Sequence, residues 1–164
     1  MIKRIILLVG TFFLIGCSQM NTTPTMTVSS FFQKYQNLDN DIRKSLNLIV
    51  NKENMTKKEQ EEYKSLLEKQ YQNLSFKIKN EETYKDNSIV EVEIEVLNYQ
   101  NAKQLAREKS NNQKNYIKEQ LKEMKQIKDK IKYNLTLYLE KVNDSWKIKE
   151  LTEEDIKKIH GIFE

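Results

Sequence analysis

The chain has 164 residues, with 28 Lys and Arg against 24 Asp and Glu for a formal net charge of +4, and it contains one cysteine and one histidine. A lone cysteine excludes an intramolecular disulfide, and a lone histidine excludes both a conventional zinc site and any nucleophile–histidine relay not built on His160. Three glycines, at positions 10, 16 and 161, leave no Gly-rich phosphate loop, and lysines interleaved with glutamates do not form the basic stripe of a nucleic-acid binder.

At the N-terminus, Lys3 and Arg4 precede an apolar run from Ile5 to Ile15 and a small residue, Gly16. Such a run is too short for a permanent membrane helix, which takes about 20 residues, and fits the h-region of a secretory signal. The tetrapeptide Leu14-Ile15-Gly16-Cys17 resembles a bacterial lipobox. That resemblance implies cleavage after Gly16, lipidation of Cys17 with palmitate-type acyl chains, and acylation of the new N-terminus. It also gives an unpaired cysteine in an exported protein a purpose. Two or more acyl chains anchor stably where one does so only marginally. The expected location is therefore the extracytoplasmic face of the cell membrane, or the outer membrane if the host has two.

Residues 1–16 are thus expected as a cleaved signal peptide. Residues 17–27, polar and carrying the only proline, Pro24, are expected as the lipidated cysteine and a flexible tether. Residues 28–164 are expected as a single domain, long enough for one core and too short for two.

Within that domain Val28, Phe31, Phe32, Tyr35 and Leu38 share one helix face. Ile42, Leu46, Ile49 and Val50 predict a second helix, capped from Asp39, Asn40 or Asp41. Thr56 and Glu59 form a capping-box pattern ahead of a third helix bearing Tyr63, Leu66, Leu67 and Tyr71. The period then switches to two: Leu74, Phe76 and Ile78, a turn at Lys85-Asp86-Asn87, then Val90, Val92, Ile94 and Val96 alternating with Glu91, Glu93 and Glu95. Those glutamates, about 6.5–7 Å apart along a strand, predict a solvated face and not an acid/base cluster.

Residues 101–128 return to helical spacing with a break or kink at Ser110-Asn111-Asn112. Ile131 to Leu139 alternate again, Asn143-Asp144 signals a hairpin, and Trp146 and Ile148 mark a last strand. Thr152 to Asp155 opens a terminal helix that Gly161 stops, with Ile162 placed to pack back on Ile156. The expected class is α+β: a curved antiparallel sheet of about four strands packed on N-terminal helices, with a helical insertion and a short C-terminal helix.

Residues from about Val28 to Phe163 resemble small lipoproteins of low-GC bacteria with domains of the cystatin-like, nuclear-transport-factor-like superfamily. The resemblance rests on the amphipathic start Val28–Asp39, on Leu74-Ser-Phe-Lys-Ile-Lys leading into Ile89–Tyr99, and on Asn101-Ala102. It continues in Asn134–Glu140 followed by Asp144-Ser-Trp-Lys-Ile, and in the ending Ile159-His-Gly-Ile-Phe. It implies a cone-like sheet around helices with a pocket, and a homodimer through the sheet, but no particular activity.

The candidate pocket residues are Tyr35, Tyr63, Tyr133 and Tyr138, with Asp39 or Glu140 as acids if the pocket were catalytic. His160, in the last turn of the terminal helix, is expected to interact with the C-terminal carbonyls. No catalytic residue, metal or cofactor beyond the lipid is assigned. The expected function is a non-catalytic, membrane-anchored binding or accessory domain for a protein or small apolar ligand, with no nucleic-acid partner. The alternatives are a weak acid/base enzyme with a pocket carboxylate, and an immunity- or stress-type accessory lipoprotein.

Overall fold

The computed structural model describes residues 22–164; the signal, the lipobox and Cys17 lie outside the described residues. Helix α1 spans Pro24–Asn37. It begins four residues before Val28, so positions 24–27, expected as tether, are helical. The cause is local: Thr23 caps the helix by accepting from the Met26 N–H, and Pro24 occupies the first turn, where its missing N–H costs nothing. Leu38 closes α1 in the left-handed region at φ 52°.

Helix α2, Asn40–Asn51, follows at once, with Asp39 at its N-cap but making no side-chain capping bond. Helix α3, Lys57–Gln72, starts at the Thr56–Glu59 capping box, both halves of which are present. Strands β1, Ser75–Tyr84, and β2, Asn87–Leu97, form a hairpin. Helices α4, Tyr99–Lys109, and α5, Gln113–Gln126, are inserted before β3, Lys130–Val142. The expected break at 110–112 is complete: Asn112 accepts from the Asn115 N–H and starts α5 afresh. A two-residue turn, with Asn143 and Asp144 both at positive φ, leads into β4, Ser145–Ile148, and α6, Glu153–His160, ends the chain's helices.

The sheet is antiparallel in the order β1-β2-β3-β4, so the fold is α+β. Register places Val90 opposite Leu137, Val92 opposite Leu135, and Ile94 between Phe76 and Tyr133. This aliphatic face packs on Phe32 of α1, Leu46 of α2 and Leu67 and Tyr71 of α3 in one core. The opposite face is a charge ladder. Glu93 bridges Lys79 at 3.2 Å and Lys132 at 3.4 Å, and Glu95 bridges Lys130 at 3.0 Å. The lysines hold the Glu93 carboxylate below its usual range, as expected of a solvated, ion-paired face.

A register shift between Ile78 and Asn80 changes what β1 presents beyond it. Glu81 is thereby set opposite Val90, on the helix side of the sheet, where it accepts from the Thr25 N–H at 3.0 Å in the first turn of α1. An anion at a helix N-terminus is favourably placed, and a bulge is the device that re-aims it.

Candidate functional site

Of the concavities among the described residues, two are lined by aromatic side chains. The larger, of about 670 Å³, is a groove between α1 and β4 lined by Met26, Phe31, Lys34, Trp146, Lys147 and Ile148, among others, with Thr22 also in its lining. Its walls follow from two periodicities. Pro24, Val28 and Phe32, four apart, bury one face of α1, which turns Met26, Phe31 and Lys34 toward the side. On β4, Trp146 and Ile148 lean on the core while Ser145 and Lys147 alternate outward. Strand β4 is the last in the sheet, so α1 faces the sheet's free edge here. Met26, in the first turn of α1, is 47% exposed.

The smaller is a cavity of about 130 Å³ between α1, α2, α3 and α6, lined by Tyr35, Ile42, Ile49, Tyr71, Ile159 and His160 among others. The Tyr71 hydroxyl and His160 Nε2 lie 2.7 Å apart, and Tyr35 packs edge-on against Tyr71 with ring centroids 4.9 Å apart. Burial pushes the His160 imidazole down to about 4 and raises the Tyr71 phenol far above its ordinary value. Between about pH 5 and 9 both groups are therefore neutral, and the pair is a neutral hydrogen bond with no charged acid or base in it. The space is also smaller than the roughly 300 Å³ at which ligand sites begin.

The four tyrosines expected to share a pocket do not do so. Tyr35 lines the small cavity. Tyr63, 4% exposed, is buried in the core on α3. Tyr133 sits on the inner face of β3 and donates to the Phe163 carbonyl at 2.9 Å. Tyr138 is 54% exposed on the outer face, opposite Ile89. Residues 133 and 138 differ by an odd number and cannot face the same side of one strand. Asp39 and Glu140, the candidate acids, are both exposed.

His160 is in the last turn of α6 as expected, but it is 4% exposed and its ring pairs with the Tyr71 hydroxyl where the helix's C-terminal carbonyls were expected. The carbonyl of His160 is instead taken by Gln70, a residue with no sequence signal of its own. Gln70 Nε2 donates to the carbonyls of Leu97 and His160 at 2.9 and 3.0 Å, and its Oε1 accepts from the Leu97 N–H at 2.9 Å. Glu123 is a second unexpected burial, at 6% exposure, and it pairs with Lys109 at 2.8 Å to tie α5 to α4.

Among the described residues no group of three or more His, Cys, Asp and Glu is gathered to hold a metal, and no helix is long and apolar enough to cross a membrane. No family model, curated protein or solved structure matches the chain.

Proposed function

We propose that the chain is a lipoprotein of the bacterial cell envelope, cut before Cys17, lipidated there, and held at the extracytoplasmic face of the membrane. Its domain is a binding module that catalyses no reaction, and its binding element is the groove between α1 and β4. The observation that carries this reading is position. Thr22, which lines the groove, is five residues from Cys17, so a largely apolar concavity lies close in sequence to the expected lipidation site. The neutral, tightly enclosed Tyr71–His160 pair supports a structural role for the one site with catalytic residue types. The cystatin-like resemblance adds an expectation of fold and brings no activity with it.

The anchor is tested by Cys17→Ala. Incorporation of labelled fatty acid is expected to vanish, and the protein to move from the detergent phase to the aqueous phase. Detergent partitioning of the variant would favour an uncleaved N-terminal helix instead. Crosslinking in intact cells from a photoreactive residue at Met26 then identifies what occupies the groove.

A further inference from the structure

We propose that the α1–β4 groove is a lipid-docking face: Met26, Phe31 and Trp146 seat at the headgroup–acyl boundary of an anionic phospholipid bilayer, and Lys34 and Lys147 meet its phosphates. The proposal rests on the anchored reading given above and names what the groove takes.

Reach comes first. Thr22, which lines the groove, lies five positions after Cys17, and fully extended chain covers at most about 3.6 Å per residue. If acyl chains on Cys17 lie in the bilayer, the groove is within roughly 18 Å of the lipidated residue. Tethering at that range supplies a high effective concentration of surface, so even weak docking is populated.

Chemistry comes second. A half-exposed Met26 and a partly buried Trp146 bordered by lysines match the composition of membrane interfaces, where indole and aliphatic groups sit at headgroup level and lysines stay wet. On the outer sheet face Lys79, Lys130 and Lys132 pair with glutamates, whereas Lys34 and Lys147 form no salt bridge among the described residues. Of the acids on neighbouring strands, Glu81 is held by Thr25, and Glu140 lies opposite Lys147 beyond ion-pair distance. The groove therefore carries net positive charge beside apolar side chains.

A peptide strand added to the free edge of β4 is the weaker occupant. The strand has four residues and bears a lysine, a combination that discourages edge pairing.

Trp146 is the only tryptophan in the chain, so its fluorescence reports on the groove alone. The full-length protein, processed in cells and purified with detergent, is reconstituted into vesicles of phosphatidylcholine with a minority of phosphatidylglycerol, some lipids carrying brominated acyl chains. Docking predicts blue-shifted emission quenched by the brominated lipid and protected from aqueous iodide. Lys34→Gln and Lys147→Gln each lower the docked-to-undocked ratio about fivefold at low salt, and added salt does the same. Met26→Asp, at an exposed position, abolishes the quenching without unfolding the domain.

Fatty-acid incorporation is scored on the same sample. Protein that carries lipid but shows unquenched Trp146 overturns the docking and leaves the anchor standing. Protein without lipid overturns the anchor itself, and the docking with it. Quenching that the two lysine variants and Met26→Asp leave unchanged also overturns the docking, because the lipid contact would then lie elsewhere.

Discussion

His160 and Tyr71 show how a residue's surroundings set its chemistry. An imidazole ordinarily titrates near 6.5; buried, it titrates near 4. Between those values the unfolded chain binds a proton that the folded chain does not. Stability is therefore greatest above pH 6.5 and falls as pH drops toward 4, by roughly 3 kcal/mol from this group. His160→Gln keeps a partner for the Tyr71 hydroxyl and is expected to flatten urea-determined stability between pH 4 and 6.5. An undiminished slope would show that His160 is accessible to solvent in the folded state. Tyr71→Phe leaves a buried imidazole nitrogen without its partner and is expected to cost about 1–3 kcal/mol at pH 7. The lone histidine was visible in the sequence, but its burial was not. Helical spacing shows which side of α6 it occupies and cannot show that α3 covers that side.

At the scale of elements, α6 is stapled to the rest of the fold by its C-terminus. Gly161 N–H returns to the Lys158 carbonyl and Ile162 N–H to that of Lys157, the paired bonds of a Schellman-type end. The Gly161 carbonyl then accepts from the Gln100 N–H at 2.7 Å, at the start of α4. Gln70 completes the junction from α3, its amide serving as a short piece of backbone between the end of β2 and the end of α6. Gly161 sits at φ 70°, and a Cβ there would collide with the Leu97 carbonyl oxygen and the Gln70 amide.

Gly161→Ala is accordingly expected to cost more than about 2 kcal/mol, since both the backbone angle and the close approach resist it. A thermal midpoint within a few degrees of wild type would mean the junction is looser than these contacts imply. The stop itself was legible as a glycine after the last helical residue. Its second role, admitting the Leu97 backbone, depends on a strand some 60 residues away in sequence.

For the whole molecule, stability comes from one core between a sheet face and its helices, and the ion pairs of the other face add little because they are exposed. Helix α6 is part of that core: Ile159 is 1% exposed, and removing the chain from α6 onward would strip partners from Gln70, Tyr71 and Gln100. Truncation after Leu151 is expected to abolish the cooperative thermal transition seen by circular dichroism. A truncated chain that melts cooperatively near the wild-type temperature would show α6 to be an appendage.

The ten elements and their order were determined by the sequence alone, because each depends on local rules: capping residues, alternation of period two, helical stripes, and turns that tolerate positive φ. The two-faced β2 was equally legible, since Val or Ile alternates with Glu from Val90 to Val96. Only the tertiary structure decided which apolar residues meet. It scattered four tyrosines that share a chemistry but not a face, buried Gln70 and His160 together, and placed Met26 and Trp146, some 120 residues apart, on one groove. The physical reason is that propensity and periodicity act over a few residues, whereas a groove or a buried pair is made by elements whose contact no short-range pattern encodes.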